Sequence, residues 1–300
     1  MRISDELRQR ATVSFEFFPP KDEIGFWDLY VTIEKLKPLA PSFVSVTWGA
    51  GGSTRRKTVE LVARIKSDMR IEALAHLTCA GSGRRDIAAV ADDLKARGLE
   101  NVLALRGDPP AGTGTFSAEA DGFAHANELI TFLKDRHDFC IGGACHPETH
   151  PEASSPDADL DFLKRKVDAG CDYLISQLFF DNQAFYRFRD RAAARGIHVP
   201  IVAGIMPILS VSQIKRFTGL CGASIPRELL EKVEAVEDDV DAVRQVGMYH
   251  ATEQCRDLLD NDAAGIHFYT LNRSTATRAV YQQIKARVDA RVAQAAQPGS

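Results

Sequence analysis

The chain has no apolar run of about 18 residues, the length that would suggest a membrane span. Its first ten residues, MRISDELRQR, are polar and contain no apolar h-region, so they do not read as a signal peptide. No polybasic block appears, and the formal net charge is −4, which argues against nucleic acid or an anionic membrane as a bulk partner. The six cysteines are scattered and form no CxxC pair. In a chain of 300 residues they read as reduced core thiols of a cytoplasmic protein, not as a disulfide framework or a zinc site. There is no internal repeat and no low-complexity tract. No GxGxxG follows the first strand, which counts against a dinucleotide-binding Rossmann half.

What is present is a regular alternation. Short β-rich runs are expected at Thr12–Phe18, Ser42–Trp48, Glu72–Cys79, Asn101–Leu105, Phe139–Cys145, Asp172–Leu178, Val199–Ile205 and Gly265–Thr270. Amphipathic stretches lie between them, including Lys57–Asp68, Asp86–Arg97, Asp121–Lys134, Asp159–Ala169, Asn182–Arg195 and Thr275–Val292. Gly98, Gly170 and Gly196 stand where helix C-caps are expected. Eight such units predict an α/β fold, a (β/α)8 TIM barrel. A doubly wound open sheet is the alternative. Residues 1–293 read as one catalytic barrel domain, with extra helical material between Ser210 and Asp260 and a frayed tail over Gln294–Ser300. The acidic run EAVEDDVD within the insertion reads as a solvated face.

Chemistry in such a barrel sits at the C-terminal strand ends. Alternation in VSFEFFPP puts Val13, Phe15 and Phe17 on one face and Ser14, Glu16 and Phe18 on the other. A carboxyl among phenylalanines should have a raised pKa and could serve as a general acid; it could equally pair with an Arg or Lys as a structural ion pair. His76 reads as either a satisfied core residue or a ligand. Arg106, Gly107 and Asp108 end the fourth strand and suit a phosphate or a heterocycle edge, unless the Arg and Asp simply pair with each other. His146 and His150 tempt a metal reading. The proline after each imidazole stops a helix there, no HxH follows the first strand and no aspartate ends the eighth, so no metal is expected. Gln177 offers a donor and an acceptor in an apolar run, and Gln213 and Phe217 share helical spacing. Arg273 follows the last strand.

In order along almost the whole chain stand VSFEFFPPK, FVSVTWGAGGS, HLTC, LRGDPP, HPEAS, DLDFLKRKVDAGCDYLISQLFFD, GIMPI and HFYTLNR. Together they resemble bacterial, flavin-dependent methylenetetrahydrofolate reductase. The resemblance implies a (β/α)8 barrel with FAD across its C-terminal face. It implies ping-pong hydride transfer from NADH or NADPH to the flavin and then to 5,10-methylenetetrahydrofolate, giving 5-methyltetrahydrofolate, with some relatives running in reverse. By position it makes Glu16 the general acid and Asp108 the flavin-proximal acid. Flavin contacts fall on Thr47, Trp48, Ala50, His76, Arg106, Gly107, Asp108, Ala126, His146, His150, Ala153, Asp159, Arg165 and Lys166. Folate and nicotinamide contacts fall on Glu16, Asp108, Gln177, Gln213, Phe217 and Arg273. Trp48, His125 and His146 stand where tyrosine is expected, and the segment Gly112–Asp121 matches poorly. The resemblance further implies a homo-oligomer, and no control by a methyl-donor metabolite through an added regulatory domain. A flavin-free pterin-binding barrel methyltransferase and a non-catalytic folate- or flavin-binding barrel are the alternatives.

Overall fold

The computed structural model describes residues 1–20, 22–48, 52–108 and 116–295. Eight parallel strands close into a barrel in chain order. They are β1 (Thr12–Phe17), β2 (Phe43–Val46), β3 (Ala73–Thr78), β4 (Asn101–Leu105), β5 (Cys140–Cys145), β6 (Tyr173–Ser176), β7 (Ile201–Ile205) and β8 (Gly265–Tyr269). β8 pairs back onto β1 with Ser14 opposite His267 and Glu16 opposite Tyr269. Closure excludes the open doubly wound sheet. Each expected strand is present; β4 has the expected bounds and the others are shorter by one to three residues.

The helices are α1 (Ile3–Gln9), α2 (Glu23–Leu36), α3 (Gly52–Ser67), α4 (Arg84–Ala96), α5 (Ala126–Arg136), α6 (Pro156–Asp168), α7 (Asn182–Ala194), α8 (Val211–Cys221), α9 (Arg227–Glu234), α10 (Val240–Asp260) and α11 (Thr275–Ala295). Gly98, Gly170 and Gly196 take the left-handed conformation expected of C-caps, at φ +73°, +107° and +75°. Four helix starts differ from the sequence reading; α3 begins five residues and α4 two residues earlier than expected. α6 begins three residues earlier than expected, because Ser155 caps it through the Ala158 N–H and Pro156 fits the first turn. α5 begins five residues later, because Gly122 bridges Gly83 before the helix can start. The expected insertion before β8 is three helices, α8 to α10, and EAVEDDVD is exposed apart from the half-buried Val236. α11 runs to Ala295; the rest of the expected tail lies outside the described residues.

Strand alternation divides the apolar residues into two main sets. Outward-facing residues, including Val13, Phe15, Phe17, Ala75 and Leu77, join the helices in the principal core. Inward-facing Phe43, Leu74, Leu103, Cys140, Tyr173, Ile175 and Val202 fill the barrel, with Ile3 and Leu7 of α1 packed into the same cluster. Two apolar residues four apart are too short a pattern to mark α1 in the sequence. A third cluster forms around Leu178, Phe180, Met206, Ile208, Ile214 and Val243, and it seats the inserted helices.

Candidate active site

The inward face changes character along the strands. Above the apolar filling, Glu16, Ser45, His76, His267 and Tyr269 supply polar side chains, and Ser176 a backbone carbonyl. Glu16 does face inward, as alternation requires, but its neighbours are not the phenylalanines. Phe15 and Phe17 are fully buried on the helix side and Phe18 is exposed. Two imidazoles surround the carboxylate instead: His267 Nε2 lies 3.4 Å and His76 Nε2 3.6 Å from Glu16 Oε2.

This reverses the expected pKa shift. Burial does push the Glu16 carboxyl upward, but the His267 hydrogen bond and the two imidazoles together hold it below its ordinary value. Burial also lowers His76 to about 4, so that ring is neutral near pH 7. The anion therefore leans chiefly on His267. His267 Nδ1 lies 2.7 Å from Ser14 Oγ. With the serine hydroxyl donating to Nδ1, the Nε2 proton is directed at Glu16. Glu16 thus pairs with imidazoles, where an Arg or Lys was the alternative.

The site's floor is fixed by a tight crossing. Tyr269 donates from its hydroxyl to the Ser176 carbonyl at 2.7 Å, and its ring meets the His267 ring edge-on at 5.4 Å. Gly204 makes room for this. A Cβ there would lie 2.2 Å from the Ser176 carbonyl oxygen and 2.7 Å from Tyr269 Cε2.

The other expected residues gather at the strand ends. Thr47 and Trp48 follow β2 and are half-buried; Trp48 Nε1 is buried with no hydrogen-bond partner among the described residues. Ala50 lies outside the described residues. His76 Nε2 is likewise without a hydrogen bond, so this is not a satisfied core histidine. Arg106 does not pair with Asp108. It makes a two-pronged ion pair with Glu152, at 2.5 and 2.6 Å, and lies 5.0 Å over the Phe116 ring, while Asp108 is exposed. Gly107 takes φ +86° between them.

After β5, the His146 and His150 rings meet edge-on at 4.6 Å. Burial lowers His146 to about 3, with His150 and Lys166 adding to the effect. Asp159 accepts from the His150 backbone N–H at 2.9 Å, and the Ala153 N–H donates to the His150 carbonyl. Half-buried Lys166 donates to the Ala144 carbonyl, and desolvation draws its pKa down. Arg165 lies over the Phe162 ring, which also stacks with His125 just before Ala126. Gln177 Oε1 accepts from the Leu178 N–H, so half of its amide is used locally. Gln213 and Phe217 share one side of α8, with Phe217 partly packed on the third cluster. Arg273 is exposed after β8. Among the described residues no three His, Cys, Asp or Glu side chains gather as a metal site.

The sequence reading did not single out His267, Ser14 or Glu152. Each had a signal: His267 and Tyr269 alternate with the core residue Phe268, Ser14 alternates with Glu16, and Glu152 lies in the HPEAS motif already noted.

A closed (β/α)8 barrel with a buried carboxylate and imidazoles at its C-terminal mouth defines an enzyme-type barrel, by the rule that places barrel chemistry there. The methylenetetrahydrofolate reductase family profile matches residues 2–285, and the chain belongs to that family. It is 38% identical over 275 residues to the Escherichia coli 5,10-methylenetetrahydrofolate reductase, covering 92% of this chain and 91% of that protein. It is 37% identical over 288 residues to the Arabidopsis thaliana methylenetetrahydrofolate reductase (NADH) 1, covering 91% of this chain and 49% of the plant protein. The chain thus spans about half the length of that plant relative. Among solved structures, a Clostridium thermocellum protein that binds two copies of 5-methyl-5,6,7,8-tetrahydrofolic acid superposes with a TM-score of 0.61 at 15% identity. The alignment covers 96% of this chain and 98% of that one, and shows the shared fold. No helix among the described residues is long and apolar enough to cross a membrane.

Proposed function

We propose that this protein reduces 5,10-methylenetetrahydrofolate to 5-methyltetrahydrofolate by a ping-pong reaction, with non-covalent FAD and with NADH or NADPH as the hydride donor. The reading is supported by family membership and by the relatives' names, one of which specifies NADH. The observation that carries it is the buried Glu16 carboxylate, supported by His267 and open to the barrel mouth beside His76. We place the reaction in the cytoplasm and in one-carbon metabolism leading to methionine.

The residues at the mouth fit a flavin. Trp48 Nε1 and His76 Nε2 are buried polar atoms still lacking partners. Such atoms are costly unless something pairs with them. Arg106 and Lys166 supply cations, and the neutral imidazole of His146 supplies a flat ring. Residues Thr47, Gly107, Asp108, Ala126, His150, Ala153, Asp159 and Arg165 complete the proposed cradle. When bound, FAD supplies the hydride carrier between nicotinamide and folate.

The chain's own residues supply proton and charge. The substrate's five-membered ring must open before its methylene carbon can accept hydride. Glu16 Oε2 delivers a proton to the ring nitrogen, the carbon–nitrogen bond breaks with its electrons going to that nitrogen, and a cationic iminium remains. A ring lying over Glu16 excludes water from it, which raises the carboxyl's pKa and makes the protonated form available. His267, fixed by Ser14, aims the carboxyl, and solvent restores the carboxyl's proton after product leaves. Asp108 places negative charge near the iminium. Gln177, Gln213, Phe217 and Arg273 hold the folate and nicotinamide.

Purified protein should carry the visible absorbance of a flavin, released by acid, and NADH or NADPH should bleach it. A colourless protein that FAD cannot reconstitute would overturn the reading in favour of the flavin-free methyltransferase.

A further inference from the structure

We propose that Glu148 is a positioning residue: its clamp on Ser224 fixes helix α8, which carries Gln213 and Phe217, against the loop that carries His146 and His150. Both oxygens of the Glu148 carboxylate lie 3.1 Å from the Ser224 backbone N–H, and the Ser224 hydroxyl donates to Oε2. Charge-assisted bonds of this kind are stronger and more directional than neutral ones.

The surroundings are shaped for this contact. Ser224 lies just past the left-handed C-cap of α8, Gly222 at φ +72°. The Cβ direction of Gly222 meets Pro151 Cγ at 3.0 Å and the Thr149 carbonyl oxygen at 3.7 Å. The end of α8 is therefore seated directly on the loop. Thr149 itself takes φ +91°, a conformation that a β-branched residue adopts only when its neighbours enforce it. That turn lets Glu148 reach Ser224 while His150 returns to the His146 ring.

The clamp joins segments from different strand ends, beside the close approach of Gly222 to Pro151. The strand order is β5, β6, β7, and α8 follows β7. The loop after β5 thus reaches past the end of β6, where Gln177 sits, to hold a helix two strands away. The buried apolar residues of α8, Val211 and Ile214, belong to the third cluster and not to the principal core. That cluster also holds Leu178 and Phe180 after β6 and Met206 and Ile208 after β7, so apolar packing seats α8 on those two strand ends. The loop is anchored toward the barrel by Glu152 on Arg106 and by Asp159 on the His150 N–H. Glu148 passes that anchoring on to α8. The assignment of ligands to α8 rests on the function proposed above; the clamp itself does not.

The test uses the full chain with Glu148→Ala and the milder Ser224→Ala. Amide hydrogen exchange of the apoprotein should accelerate across 211–221 in both variants, by about tenfold for Glu148→Ala, while α4 and α7 exchange as in the wild type. In the FAD-loaded enzyme, KM for methylenetetrahydrofolate should rise by a similar factor at little changed kcat, with FAD affinity preserved. Unchanged exchange in α8 in both variants would overturn the proposal. So would a uniform acceleration with a lower melting temperature in both, which would mean that the contact only stabilises the fold. A wild-type protein without flavin or folate activity would sink the functional reading, yet the exchange result would still decide the clamp.

Discussion

His267 stands between Ser14 and Glu16, with Nδ1 2.7 Å from the serine hydroxyl and Nε2 3.4 Å from the carboxylate. The two partners are neighbours of the same face of β1, and the β1–β8 register puts Ser14 level with His267. The fold closure that joins the first strand to the last thus builds the proton site. Thr270 and Asn272 reinforce the junction: Thr270 Oγ1 donates to the Glu16 carbonyl, and Asn272 exchanges hydrogen bonds of 2.7 and 3.0 Å with the Phe18 backbone.

Removing the imidazole should therefore move a titration and not merely slow a rate. His267→Ala takes away the hydrogen bond that lowers the Glu16 pKa and leaves burial, which raises it. Folate reduction requires protonated Glu16, so it declines as pH rises through that pKa. In the variant this alkaline limb should lie at higher pH than in the wild type. Ser14→Ala should move it the same way by less. A pH–rate series on the folate step checks both, and an unmoved limb would detach His267 from the proton.

Gly204→Ala probes the crossing above the barrel filling. The added methyl meets backbone at 2.2 Å and an aromatic ring at 2.7 Å, and neither can retreat without breaking the Tyr269–Ser176 bond. A loss of about 3 kcal/mol is expected from overpacking of this kind. Denaturant melts measure it; a loss below about 1 kcal/mol would mean that Tyr269 swings away easily.

Asp108→Asn should slow the folate step by about 10²-fold, the scale for one well-placed electrostatic group. The fold should be unaffected, since Asp108 is exposed and Arg106 is bound by Glu152. Stopped-flow reoxidation by methylenetetrahydrofolate gives the value. An unchanged rate would assign Asp108 to the surface alone.

Strand alternation made the barrel and the inward placement of Glu16 legible, because a two-residue period is local. The neighbours of Glu16 were not legible. They come from β3 and β8, and which side chains meet across a barrel depends on closure and register, which no local pattern encodes. The same holds for Arg106, whose nearest charged residue in sequence is Asp108 but whose partner is Glu152, supplied by the loop after the next strand. Helix α1 escaped for a different reason: its buried pair, Ile3 and Leu7, is meaningful only once a barrel exists for it to plug.

Acid should weaken the fold through two rings that stay neutral inside it. Buried His76 and half-buried His146 hold their protons less readily than in the unfolded chain, with values of about 4 and about 3 against an ordinary 6.5. As pH falls below 6.5 the unfolded chain takes up protons that the folded one refuses, so stability drops; above 6.5 the contribution is flat. For His76 the loss reaches about 3 kcal/mol by pH 4. Glu16, lowered from 4.5, adds loss of the same sign at still lower pH. Chemical denaturation of the apoprotein between pH 7 and pH 4, compared with His146→Phe, should show a shallower slope in the variant.

Glu16→Gln separates the two halves of the proposed reaction. Glutamine keeps the shape and can still meet His267, but it has no acidic proton to give. Nicotinamide oxidation needs no proton at the folate, so NADH or NADPH should bleach the bound flavin at close to the wild-type rate. Opening the methylene bridge does need one, so reoxidation by methylenetetrahydrofolate should fall by at least about 10²-fold, the lower end for lost general-acid catalysis. Stopped-flow absorbance follows each half by itself. Equal damage to both halves would mean that Glu16 organises the site through its imidazole pair. Damage to neither would remove Glu16 from the mechanism.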